Sequence, residues 1–234
     1  MSSIIPRLDY LRQQPLAADL ADCLHQLDEI DLDVKGLLAG LTEEQFHWSP
    51  LASRWSIEQC LVHLVIVGGI YLPILDDTME QARAEGLIGH GPFHYGFIER
   101  WFVNSTEPPP SIRLRTPPSA RPPDDQPLDV AIAEFHTIQE QLRKRVHAAN
   151  GLDLARAKVT SPFVSALKMG LGSCLLFLAA HERRHVWQAW QVRKDEDFPK
   201  SVETASAQPN PAPLVEPPSA VEEPPKNPEE TAPE

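Results

Sequence analysis

Residues 56–84 set the strongest limit on how this chain can fold. They open on Ser56-Ile57-Glu58-Gln59, a capping box in which serine and glutamine satisfy the first free amides of a helix. Ile57, Leu61, Leu64, Gly68, Leu72, Leu75 and Met79 then recur at helical spacing. Within this segment the run CLVHLVIVGGIYLPIL is apolar almost all round, yet it has 16 residues and a histidine. That falls short of a membrane span and reads as a helix buried on most sides, so no membrane partner is expected. Pro73 lacks the amide that would bond back to Gly69 and predicts a kink.

Such a helix must be covered by others, and the chain supplies them. Over residues 16–40, Leu20, Leu24, Leu27, Val34, Leu38 and Leu41 follow a four-three rhythm. Asp31 falls on the one position of that stripe that should be apolar, with Ile30 beside it as the alternative. Thr42-Glu43-Glu44-Gln45 is a second capping box and starts a short turn. A third long helix is expected over 127–149, with Leu128, Ile132, Phe135, Leu142 and Val146 inward, and a fourth over 171–194. Residues 85–126 break the periodicity. They hold GHGPFHYGFIERWF, room for one short helix, and then EPPPSIRLRTPPSARPP, too proline-dense to continue one. No strand pattern is visible. The expected fold is all-α: a four-helix bundle with a long crossover between helices two and three. It should span residues 1–196, with 85–126 as the Pro-rich crossover insert and 197–234 as a disordered, acidic, Pro-rich tail.

The formal net charge is −12, and residues 201–234, with seven glutamates and one lysine, carry −6 of it. Phosphate neutralisation needs clustered lysine and arginine, so no nucleic-acid partner is expected. The three cysteines, Cys23, Cys60 and Cys174, are far apart and flanked by apolar residues, as in reduced core cysteines of a cytoplasmic protein. MSSIIPRLDYLRQQP lacks the basic and apolar blocks of a signal peptide.

The chemistry concentrates in the fourth helix. Cys174, Leu178, His181, His185, Gln188 and Val192 are spaced four, three, four, three, four, which puts both imidazoles on the inward stripe one turn apart. Buried imidazoles need partners for their nitrogens, and one metal ion can serve both. Core histidines bonded to side chains or water are the plainer alternative. His63, inside the apolar run of helix two, offers a third ligand. The segment His181-Glu182-Arg183-Arg184-His185 also spells the zinc-peptidase pattern H-E-x-x-H. Two arginines occupy its centre and no scaffold for a downstream ligand follows, so the glutamate reads as incidental and only a weak catalytic candidate.

LTEEQFHWSPLASRWSIEQCLVHLVIVGG and LLFLAAHERRHVWQ together resemble the DinB-like (DinB/YfiT) superfamily over roughly residues 10–195. The matching positions are Leu41, Thr42, Gln45, Trp48, Pro50, Trp55, Ser56 and His63, then His181, His185 and Gln188. The resemblance implies a four-helix bundle with a divalent-metal site, often zinc or nickel, ligated by His63, His181 and His185. It also implies homodimers and a choice of activities: transfer reactions dependent on a low-molecular-weight thiol, thiol-dependent isomerisation, or metal-dependent hydrolysis.

Three functions follow from these residues. One is a metal-dependent transferase joining a small thiol to a small-molecule electrophile, with Arg113, Arg115 and Arg121 as anion-binding candidates. Another is hydrolysis with Glu182 as base. The last is a binding or stress-response module with a structural metal. Gln188, Asp31 and Tyr71 are expected around the ligands or in the pocket. Phe93, His94, Tyr95 and Trp101 are read as pocket-mouth residues or core covers.

Overall fold

Local capping starts the helices where the sequence places them. The computed structural model describes residues 15–110 and 115–200. In chain order they form α1 (Ala18–Leu38), α2 (Glu43–His47), α3 (Ile57–Ala84), α4 (Phe97–Thr106), a 3₁₀ turn (Pro118–Ala120) and α5 (Leu128–Ala148). Two short strands, β1 (Lys158–Thr160) and β2 (Lys168–Gly170), precede the last helix, α6 (Leu171–Arg193). Both capping boxes are made. The Thr42 and Ser56 hydroxyls accept from the amides of Gln45 and Gln59, whose side chains accept from the Thr42 and Ser56 amides in return.

The protein is mostly helical. Among the long helices, α1 packs on α5 and α6, and α3 packs on the same two, so the contacts close a ring. The buried face of α1 is Leu20, Cys23, Leu27, Ile30, Val34 and Leu37, a stripe shifted slightly from the expected one. Ile30 fills the interior and Asp31 sits at its edge, bonded to Arg143 at 2.6 Å. The same shift on α5 buries Ala131 where Ile132 was expected. α1 has no cap of its own at its C-terminus, and the Arg193 guanidinium from α6 donates to the carbonyls of Gly36, Leu37 and Ala39. Where α3 crosses α5, Gly68 leaves room for Ile138; a Cβ there would stand 2.4 Å from Ile138 Cγ2.

Three sequence expectations change. α3 carries Pro73 within it and runs to Ala84, and by length and composition it is long and apolar enough to cross a membrane. Yet 56% of its most apolar window is buried inside the protein, as in a core helix. A two-stranded antiparallel hairpin joins α5 to α6, pairing Val159 with Met169; strands of three residues are too short to show alternation in the sequence. Phe198 and Pro199, assigned by sequence to the tail, pack at the domain's edge: Phe198 meets Trp48 edge-on and Pro199 accepts from the Gln45 amide group. The rest of the tail, residues 201–234, lies outside the described residues.

The crossover is tied to the helices at several points. Glu99 on α4 accepts from the Ser173 hydroxyl at 2.7 Å and pairs with Lys158 at 3.0 Å. Glu107 pairs with Arg183. At the far end, Glu58, 3% exposed, accepts from the Gln126 amide and contacts His47 Nδ1 at 2.8 Å. His47 Nε2 lies 3.2 Å from Glu43, which also accepts from the Leu128 amide at the start of α5. A neutral imidazole can donate to one carboxylate only, whereas the imidazolium donates to both. Burial opposes the charge on His47, but the bonds to Glu58 and Glu43 outweigh it and raise its pKa above the ordinary 6.5. A raised folded pKa means that this stabilisation is complete below pH 6.5 and is lost as pH rises through the folded value. Denaturant unfolding across that window should show wild-type stability falling with pH relative to His47→Gln; parallel curves would remove this role from His47.

Candidate metal centre

Three histidines from two helices meet in the interior. His63 comes from α3 and is 4% exposed; His185 comes from α6 and is 8% exposed; His181, one turn earlier on α6, keeps part of its surface open. Their ring centroids are 4.5 Å (His63–His185), 4.6 Å (His181–His185) and 5.2 Å (His63–His181) apart. One nitrogen from each ring lies within 4.8 Å of the other two. The inward stripe of α6 delivers the pair because positions four apart share a face. His63 is delivered because the apolar face of α3 must itself turn inward.

The electrostatics keep these rings neutral. Burial lowers the His63 pKa, and only the carbonyl of Ala120 works against it. For His181, burial and the neighbouring His63 and Arg184 bring the value down to about 3. His185 is held well below its ordinary value by burial and by His181, His63 and Arg184, with Gln188 a small opposing influence. Neutral imidazoles with available lone pairs are what a metal requires, since it competes with protons for the same nitrogens.

The hydrogen bonds fix one ring outright. His63 Nδ1 lies 2.7 Å from the Ala120 carbonyl oxygen, which can only accept, so Nδ1 carries the hydrogen. The bare Nε2 of neutral His63 then faces His181 Nε2 at 3.4 Å. Two nitrogens bound to one zinc at about 2.0–2.1 Å, with a tetrahedral angle between them, stand about 3.4 Å apart. His185 Nδ1 is buried without a hydrogen-bond partner, an arrangement that costs free energy unless something else occupies it. The donor set, its neutrality, the spacing and the orphaned nitrogen all fit a divalent transition metal. The three histidines could hold one such ion.

Around the cluster the aromatic residues are unevenly placed. The Trp55 ring stacks on His185 at 5.6 Å and lies 4.9 Å from His63, closing one side. Phe177 lies 5.8 Å from His181 and stacks on Phe102 of α4 at 5.1 Å, so the crossover helix covers another side. The sequence had marked Trp55 only as one of the positions matching the superfamily, and Phe177 carried no signal beyond helical spacing. Arg184, half-buried on α6 between the two histidines in sequence, adds positive potential at both.

A profile of the DinB superfamily matches residues 20–189, most of the chain and both histidine segments. The chain belongs to the DinB superfamily. No curated protein and no solved structure matches it.

Several expected neighbours of this DinB-superfamily site are elsewhere. Gln188 does lie beside His185. Asp31 bonds Arg143 of α5, and Tyr71 is buried against Phe163 and Phe177, its hydroxyl at Ser161. Tyr95 donates to Asp19 at 2.6 Å, and Trp101 is 51% exposed. Arg115 and Arg121 are exposed, and Arg113 lies outside the described residues.

Glu182 corrects the reading of the H-E-x-x-H segment most directly. It is 4% exposed and accepts from the Gln139 amide of α5 at 2.6 Å, outside the histidine cluster. Burial raises its pKa to about 7 against the partial relief of that bond. It is therefore neither incidental nor a base aimed at the histidines: it crosses the interior to α5. Glu182→Ala should leave the buried Gln139 amide unpaired and destabilise the protein by about 1–3 kcal/mol in denaturant unfolding. An unchanged unfolding midpoint would show that the bond does no structural work.

Proposed function

We propose that this protein is a four-helix-bundle metalloprotein in which His63, His181 and His185 ligate one divalent ion, zinc or nickel, and that it is a metal-dependent transferase using a low-molecular-weight thiol. The observation that carries the metal reading is the 3.4 Å approach of the two Nε2 atoms, with His63 held in the right tautomer by Ala120. When bound, the ion would supply Lewis acidity, lowering the pKa of a thiol so that a thiolate is available near neutral pH. The chain's own residues orient the ligands, keep them unprotonated and exclude water on the Trp55 and Phe177 sides. The part-open surface of His181 is the approach for a small molecule.

The protein's own thiols do not compete for this role. Cys23, Cys60 and Cys174 are all buried, and burial pushes each thiol pKa up, Cys23 to about 12 and the other two further. A thiol nucleophile would have to diffuse in. The positive potential of Arg184 and the exposed Arg121 beside Ala120 favours one that carries a carboxylate. The hydrolytic alternative needs a base near the histidines, and the bond of Glu182 to Gln139 takes that residue out of consideration.

Metal analysis tests the centre first. Purified wild-type protein should carry about one equivalent of metal and His63→Ala close to none, while remaining helical by circular dichroism. Wild-type protein that takes up no metal when zinc or nickel is added would end the metal reading. For the activity, purified protein with bacillithiol, mycothiol, coenzyme A or glutathione and a model electrophile should turn over with one thiol, and chelation should abolish it. The transferase reading fails if none of the four supports metal-dependent turnover.

A further inference from the structure

The Pro-rich crossover supplies a buried backbone hydrogen bond that fixes one histidine of the cluster. Ala120, fully buried at 0% exposure, ends the Pro118–Ala120 turn, and its carbonyl oxygen takes the His63 Nδ1 hydrogen at 2.7 Å. We propose that this turn is a working part of the metal centre: Ala120 is a positioning residue for His63, and metal binding and docking of the crossover strengthen one another. The inference rests on the metal reading above and goes beyond it by giving the crossover a role.

The sequence around the turn is built to present one carbonyl. Pro117 and Pro118 precede it and Pro122 and Pro123 follow it, so four nearby backbone φ angles are fixed before docking and little chain entropy remains to be lost. Arg121 is extended at φ −76° and ψ 128°, the conformation a following proline favours. The Ala120 amide bonds the Pro117 carbonyl at 3.0 Å, closing the turn from within. Four residues on, Asp124 accepts from the Gln59 side chain at 2.7 Å, and the Gln126 amide donates to Glu58. Gln59 and Glu58 lie about one helical turn before His63 on α3, so the strap is anchored to the helix that carries the ligand it orients.

The coupling follows from the chemistry of imidazole. A cation on Nε2 draws electron density through the ring and makes the Nδ1 hydrogen a better donor, so the bond to Ala120 is stronger in the metal-bound protein. The carbonyl conversely holds the ring in the tautomer and orientation that leave Nε2 bare. Whatever factor docking adds to metal affinity, metal must add to docking, because the two form one thermodynamic cycle. Outer partners of ligating histidines typically contribute about 10–100-fold in affinity.

The full-length chain tests this with zinc alone as the probe. Zinc affinity is measured by competition with a chromophoric chelator for wild type, Ala120→Gly and Ala120→Leu, with metal-free melting recorded for each. Ala120→Gly keeps the carbonyl in place and should bind within a few-fold of wild type. Ala120→Leu cannot seat its side chain at a fully buried position and should bind about 10–100-fold more weakly as the turn is displaced. In wild type, saturating zinc should slow hydrogen exchange at the Ala120 and Arg121 amides by a comparable factor, a measurement that stands even if Ala120→Leu folds poorly. Wild-type zinc affinity in a folded Ala120→Leu variant, or exchange at these two amides unaffected by zinc, overturns the inference while leaving the metal centre intact. A wild-type chain that binds no zinc overturns the metal reading itself, and the two failures are thereby told apart.

Discussion

Three neutral imidazoles in a protein interior, with one nitrogen from each held within 4.8 Å of the other two, are the constraint around which the rest of this molecule is arranged. An imidazole moved out of water needs a partner for each ring nitrogen. Here one nitrogen of His63 has a backbone carbonyl, a second faces His181, and His185 Nδ1 has none. The helices could hide these rings more cheaply as leucines, so the cluster is an expense the core does not need for its own stability. The packing that brings α3 and α6 together is therefore also what concentrates the donor atoms.

Two buried carboxylates show how differently one residue type can be used in the same interior. Glu58 sits at the start of α3 and gathers His47 and the Gln126 amide, fastening the end of the crossover and the start of α5. Glu182 sits between the two α6 histidines in sequence but turns about 100° away from His181 and reaches Gln139 on α5. Neither lies in the histidine cluster. The centre is left with nitrogen donors alone, which suits a borderline transition metal better than calcium or magnesium.

Much of this was legible in the chain. Helix positions followed from capping boxes and from the 3.6-residue rhythm, and errors of one position on α1 and α5 arose because apolar residues flank both candidate stripes, as Ile30 flanks Asp31. The convergence of His63 with His181 and His185 was readable because each stands on a face that has nowhere to go but inward. Illegible features were of two kinds. Elements too short for periodicity, the hairpin and the Pro118–Ala120 turn, left no pattern. Contacts made by backbone atoms left no residue signature, since any amino acid at position 120 would bring a carbonyl.

By itself, then, the sequence determined which segments are helices, which faces turn inward and which side chains those faces carry, because these depend on spacing along one chain and on the aversion of apolar groups to water. Tertiary structure alone decided the partners. It directed Glu182 to Gln139, Asp31 to Arg143, Trp55 onto the rings and the Ala120 carbonyl onto His63, because each of these contacts joins residues from different elements whose relative placement no local rule specifies.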